Sequence, residues 1–332
     1  MGAPIISGRI QEISVTGGKL INQDLPLKKW LILLPLILLG LLLGLLLLAF
    51  GALRIINPTS GKLTSSGETR RYLLYVPESY DPTLPTPLVI TMHGFAQWPA
   101  NQAAVSRWNK LADQYGFIVV YPAGTRFPMR WRTRGASGGA AGPTKDVTFV
   151  SDLIDKLSDE YNIDPARIYA NGLSNGGGMS FLLSCRLSGR IAAIGSVAGA
   201  YSTPWDECIP SRPVPAVIFH GAADPIVPYQ GGLAGPSGFS FSSIPDWVAE
   251  LARRNGCDPA AQALPSSGDV SGVRYTSCAG DVVFYTIAEG GHSWPGGGNL
   301  LKIIVGNTSH DIDASRTMWD FFQRHPLGGD GN

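Results

Sequence analysis

Gly172-Leu173-Ser174-Asn175-Gly176-Gly177 follows directly on the apolar run Ile168-Tyr169-Ala170 and leads into Gly178-Met179-Ser180-Phe181-Leu182-Leu183. A strand entering and a buried helix leaving oblige the chain to reverse within a few residues, and glycines on either side of a serine give that turn its room. This run restricts the fold to one that alternates strands with helices. The rest of the chain has the same rhythm: short apolar runs at 71–76, 88–92, 117–121, 167–170, 192–197, 216–220 and 282–287 read as strands. Between and after them, 101–115, 147–161, 244–255 and 314–324 read as helices, the last with Met318, Phe321 and Phe322 on one face. Asp164-Pro165-Ala166-Arg167 reads as the turn that feeds the serine strand. The expected class is α/β, a mostly parallel sheet flanked by helices. Such a sheet gathers its site at the carboxyl ends of its strands.

Three residues sit where chemistry is expected. A serine hydroxyl is a weak nucleophile at neutral pH and needs a base, and a sharp strand-to-helix turn exposes Ser174 to one. His292, in Gly290-Gly291-His292-Ser293-Trp294-Pro295, lies in a glycine-rich loop beyond the run 282–287 and is the best placed of the five histidines. Asp224 follows the run 216–220 and can orient an imidazole; Asp311 and Asp313 are rivals but come after the candidate base. The order Ser174, Asp224, His292 is that of an α/β-hydrolase triad. Met92-His93-Gly94-Phe95 ends an earlier strand, so the N–H groups of Phe95 and Asn175 are the candidate oxyanion donors, with His93 shaping the loop. Trp98, Trp131 and Trp294 are candidates to line an aromatic acyl or sugar subsite, with core packing as the competing role. No metal or organic cofactor is called for.

The chain of 332 residues carries a net charge of +1 with no basic stripe or acidic tail, which gives no reason to expect a nucleic-acid partner. No obligate protein partner is evident either. Residues 30–53 contain no charged side chain and would span about 36 Å as a helix, enough for a bilayer. An uncleaved single-pass anchor is expected there, with a cleaved signal, and hence secretion, as the alternative. Cys185, Cys208, Cys257 and Cys278 all lie beyond this segment without Cys-x-x-Cys spacing, so two disulfides in any of three connectivities compete with four buried thiols. Disulfides would place the globular part outside the cytoplasm. The expected organisation is a cytoplasmic tail at 1–29, an anchor at 30–53, a linker at 54–66 and a catalytic domain at 67–332.

Several signatures occur together: Met92-His93-Gly94, Asn109-Lys110-Leu111-Ala112-Asp113 leading to Gly116-Phe117-Ile118-Val119-Val120-Tyr121-Pro122, Asp164-Pro165-Ala166-Arg167-Ile168-Tyr169, the Gly172 to Gly177 run, His220-Gly221 with Asp224, and His292-Ser293-Trp294-Pro295-Gly296-Gly297. Over about 67–325 the chain thereby resembles the secreted esterase family of poly(3-hydroxybutyrate) depolymerase-like proteins, feruloyl esterases and acetylxylan esterases. The resemblance implies an α/β-hydrolase fold, with Ser174 as nucleophile, Asp224 as acid and His292 as base. It also favours the sequential pairs Cys185 with Cys208 and Cys257 with Cys278. Two departures are Phe95-Ala96-Gln97-Trp98-Pro99, where the family often has a small residue and more glycine, and Lys145-Asp146, where it has paired aspartates. The expected function is an extracytoplasmic serine esterase acting on hydroxyalkanoate oligomers or on feruloyl or acetyl carbohydrate esters. A serine peptidase on the same fold and a noncatalytic carbohydrate-binding ectodomain are the alternatives.

Overall fold

The computed structural model describes residues 35, 37–44, 58–133, 142–234, 239–298 and 301–328. The chain divides between residues 55 and 56. In the second unit the strands are β1 (Gly61–Ser65), β2 (Glu68–Tyr75), β3 (Thr86–Met92), β4 (Ile118–Pro122), β5 (Ile163–Leu173), β6 (Ala193–Val197), β7 (Ala216–Gly221), β8 (Gly232–Ala234), β9 (Phe239–Phe241), β10 (Gln262–Ser267), β11 (Val270–Tyr275) and β12 (Val282–Ile287). Among the described residues, ten of them form one sheet in the order β1-β2-β4-β3-β5-β6-β7-β12-β11-β10. From β4 to β12 every pairing is parallel, and the outer pairings at both ends are antiparallel. The short strands β8 and β9 form a separate hairpin.

The central strands are apolar at nearly every position because both faces are covered, and their side chains divide by parity. Leu88, Ile90 and Met92 of β3, Ile118 and Val120 of β4, and Ala216 and Ile218 of β7 enter one core. Val89, Val119, Tyr121, Val217 and Phe219 enter the other. The helices are α1 (Pro99–Ser106), α2 (Trp108–Tyr115), α3 (Gly142–Glu160), α4 (Asn175–Arg186), α5 (Ile244–Arg254), α6 (Lys302–Val305) and α7 (Ala314–Phe322). Phe149, Leu153 and Leu157 of α3, Phe181 of α4 and Trp247 of α5 cover the first face. Trp108 of α2 with Met318 and Phe322 of α7 covers the second, where Trp108 and Tyr169 both stack on Phe322.

Three expectations change, and two strands come unannounced. The stretch 61–65, read as the end of a linker, is β1, because Ser66 and Gly67 both take positive φ (49° and 75°) and close a two-residue hairpin onto β2. The helix expected over 101–115 is two helices, broken where Arg107 turns left-handed at φ 57°. The turn at Asp164 lies inside β5, whose register against β3 shifts between Thr86 and Leu88 while Asp164 Oδ1 accepts from Ala166 N at 2.9 Å. The unannounced strands are β10, at the edge of the sheet, and β11 next to it, neither of which is a continuous apolar run; Pro265 sits in β10, within its register shift between Leu264 and Ser267. Disulfides join Cys185 to Cys208 and Cys257 to Cys278, the sequential pairs. Of the proposed anchor 30–53, residues 35 and 37–44 are helical, and the remainder, like the tail 1–29, lies outside the described residues. Among the described residues no helix is long and apolar enough to cross a membrane.

Candidate active site

Ser174 occupies the junction of β5 and α4 with φ 57° and ψ −117°, a conformation that costs a non-glycine residue about 1–3 kcal/mol. The surroundings hold it there: Ser174 N–H donates to Val197 O at 2.9 Å, and its carbonyl accepts from Gly178 N at 2.9 Å and Ala200 N at 3.0 Å. The flanking glycines are needed because backbone passes against them. A Cβ on Gly172 would lie 2.7 Å from Met92 O, and one on Gly176 would strike Met92 O and come within 2.7 Å of His93 O. The turn is thus wedged against the end of β3, and the Ser174 side chain is largely buried.

Asp224 lies in the loop after β7, and its two oxygens do different work. Oδ1 accepts the backbone N–H groups of Ile226 and Val227, both at 2.8 Å, which closes the loop on the carboxylate. Oδ2 accepts from His292 Nδ1 at 2.8 Å. Burial would raise the Asp224 pKa, but the hydrogen bonds from His220 and His292 outweigh it and hold the group well below the usual carboxylate range. Asp224 is therefore ionised, its partner nitrogen carries the proton, and His292 Nε2 is left as the basic nitrogen. The His292 loop is pinned from the other side, by Gly291 N–H to Asn307 O at 2.9 Å and by the bond from His292 N to Val305 O. Asp224 and His292 are brought into contact because β7 and β12 are parallel neighbours. Ser174 follows directly on β5, at the same edge of the sheet, with β6 and β7 between β5 and β12.

Phe95 lies in the loop after β3, and Asn175 opens α4 next to Ser174. An added Cβ on Gly94 would lie 3.5 Å from Leu173 O, so the loop after β3 runs beside the turn. Neither the Phe95 nor the Asn175 N–H donates a backbone hydrogen bond among the described residues. The Asn175 side chain has a further task that its position in the run did not reveal. Its Oδ1 accepts from Trp131 N at 2.7 Å and its Nδ2 donates to Trp131 O at 3.2 Å, clamping the segment 131–133 beside the turn. Burial pushes His93 down to about 4, so it is neutral; its Nε2 accepts Gly124 N–H at 3.0 Å and its Nδ1–H donates to Gly94 O at 2.8 Å, bracing the loop.

Two of the three tryptophans do not line a subsite. Trp131 is 2% exposed with its indole N–H donated to His93 O at 3.0 Å, and Trp294 is 0% exposed with its N–H donated to Ser315 Oγ at 3.0 Å. Both are packing residues, whereas Trp98 is half-buried at the start of α1. Asp146 belongs to a buried network: it accepts from Arg70 Nη1 and from Arg132 N, each at 2.8 Å, while Lys145 pairs at the surface with Glu68. His220, in β7, was given no role by the sequence and faces Asp224, at Nε2 to Oδ2 3.4 Å. The spacing of four residues between His220 and Asp224 was the available signal.

Residues 70–207 match the Esterase PHB depolymerase family. The chain is 28% identical over 291 residues to feruloyl esterase C of Emericella nidulans, covering 83% of this chain and 96% of that one. It is 34% identical over 164 residues to a bifunctional acetylxylan esterase/xylanase of Neocallimastix patriciarum, a match spanning 49% of this chain and 23% of that protein. The fold is that of the acetyl xylan esterase from Aspergillus awamori, at TM-score 0.54 and 15% identity over 81% of this chain and 96% of that one. The chain therefore matches the Esterase PHB depolymerase family over residues 70–207, is similar to carboxylic ester hydrolases over most of its length, and has the α/β-hydrolase fold.

Proposed function

We propose that this domain hydrolyses esters of acylated carbohydrates, feruloyl or acetyl, through Ser174, His292 and Asp224. The observation that carries this reading is the buried Asp224–His292 hydrogen bond at 2.8 Å, on the sheet edge where Ser174 is held in a strained turn. Ser174 Oγ attacks the ester carbonyl carbon and passes its proton to His292 Nε2; Asp224 stabilises the imidazolium. The oxyanion accepts from the Phe95 and Asn175 N–H groups. Collapse breaks the carbon–oxygen bond, His292 returns the proton to the departing alcohol, and the acyl group remains on Ser174. Water, deprotonated by the same His292, then releases the acid. The names of the relatives favour sugar esters, and the family description keeps hydroxyalkanoate oligomers as the competing substrate.

The test is a panel of feruloyl sugar, acetylated sugar and hydroxybutyrate oligomer, assayed with wild type and Ser174→Ala. Hydrolysis of a sugar ester that Ser174→Ala loses while folding normally is expected. Unchanged turnover in the variant refutes the nucleophile, and turnover of the oligomer alone refutes the substrate class. We further propose that 30–53 anchors the chain with its catalytic domain outside the cytoplasm, as two disulfides favour. Protection of the domain from added protease in intact cells would contradict that placement.

A further inference from the structure

We propose that His220 sets the basicity of His292 by sharing Asp224 Oδ2 with it, an inference that rests on the Ser174, His292 and Asp224 reading. His220 Nε2 lies 3.0 Å from Val227 O, and because a carbonyl only accepts, that nitrogen carries the ring proton. The same nitrogen lies 3.4 Å from Asp224 Oδ2, so its N–H dipole reaches that oxygen beside the bond it gives Val227 O, and both side chains are completely buried. Oδ1 is already taken by two backbone N–H groups, so Oδ2 alone faces the histidines, with His292 Nδ1 at 2.8 Å and His220 at the longer distance.

His220 gives this oxygen a dipole and not a second positive charge. Its Nδ1 is buried without a hydrogen-bond partner among the described residues, so an imidazolium there would hold a stranded N–H. The groups that meet the ring from other elements do not change this. Tyr229, with ring centroids 6.2 Å apart, engages its hydroxyl with Thr286 Oγ1 at 2.8 Å, and Thr286 is the residue opposite His220 in β12. From β6 the neighbour is backbone, where Ala198 N–H donates to Phe219 O at 2.8 Å. A carboxylate partly satisfied by a neutral N–H stabilises the His292 imidazolium less than one that faces His292 alone, so taking the His220 N–H away should favour the protonated imidazole.

The experiment is the pH dependence of kcat/KM for wild type, His220→Gln, which can return an N–H to the same place, and His220→Leu, which cannot. The acid limb is expected to move up by ~0.5–1 pH unit in His220→Leu, the scale of one weak hydrogen bond, and to return in His220→Gln. An acid limb that stays or moves down in a folded His220→Leu overturns the proposal and leaves His220 as a brace for the 224–228 turn. Should that variant not fold, nitrogen-15 spectra of the wild-type histidines decide: His220 is expected as the neutral Nε2–H tautomer, and a charged or Nδ1–H ring at His220 overturns it. Ser174→Ala assayed in parallel separates the two readings, since activity there sinks the triad, whereas an inactive Ser174→Ala with an unmoved limb sinks only the role of His220.

Discussion

Replacing Asp146 by Asn tests the buried network through stability, a readout separate from turnover. The carboxylate is 0% exposed and its Arg70 partner 3%, at 2.8 Å, so their gross attraction at an effective dielectric of 20 is about 6 kcal/mol. Asn keeps the volume and one acceptor oxygen but removes the charge, stranding a buried guanidinium that stacks on the Phe149 ring at 3.9 Å. Removing one partner of a buried pair costs roughly 3–5 kcal/mol, and the surviving acceptor puts this case near the low end, about 3 kcal/mol. At ~2–4 °C per kcal/mol the domain should melt about 6–12 °C lower, read by circular dichroism at pH 7 and checked by urea denaturation. Lys145→Ala is the internal control, because its pair with Glu68 is more than a third exposed at each end or close to it, at 36% and 34%, and should cost under about 1 kcal/mol. Arg70→Met with Asp146→Leu should recover most of the loss, since no charge is then left unpaired. If Asp146→Asn melts no lower than Lys145→Ala, the reasoning is refuted.

Gly176→Ala should lower kcat/KM on a soluble nitrophenyl ester by about 100-fold, because the new methyl forces α4 off the end of β3 and moves the Asn175 N–H with it; activity within a few-fold of wild type would mean that the turn yields freely. Trp294→Phe removes the bond to Ser315 Oγ and should cost about 1 kcal/mol of stability with KM unchanged; a raised KM at unaltered stability would restore a ligand-binding role. Asp224→Asn should reduce turnover on the order of 10⁴-fold. Because the native Asp224 pKa is depressed, its contribution to stability is present above the unfolded value of about 3.9 and is lost as pH falls through the lower, folded value. The stability gap between wild type and Asp224→Asn should therefore be flat above about pH 5 and narrow in acid, and a gap that widens on acidification contradicts the assignment.

The central strands were legible because burial on both faces makes each a continuous apolar run, as Leu88 to Met92 and Val282 to Ile287 are. The edges were not, since β1 and β10 need an apolar residue only on one side or none, and their sequences read as linker and loop. Ser174, Asp224 and His292 each stand beside a strand end flanked by glycine or a turn, so local pattern placed them on the right edge of the sheet. What local pattern does not carry is partnership across the chain. Asp146 meets Arg70 across 76 residues, and Asn175 clamps Trp131 across 44, by packing that no short spacing announces. Tryptophan was left open between two roles for the same reason: an indole serves as a sugar platform or as a hydrogen-bonded core residue, and the position of its N–H partner separates the two uses.

The outermost strands bear on how the molecule behaves when concentrated. A ten-stranded sheet ends in two rows of backbone groups that another chain could extend into a fibre. At one end, Pro265 removes a donor from β10 within its register shift, so an incoming strand meets a broken ladder. At the other, β1 is only five residues long and puts Lys62 on its exposed side, so association there carries a charge penalty. The sheet is in this sense self-terminating, and the domain can be concentrated without its edges seeding aggregation.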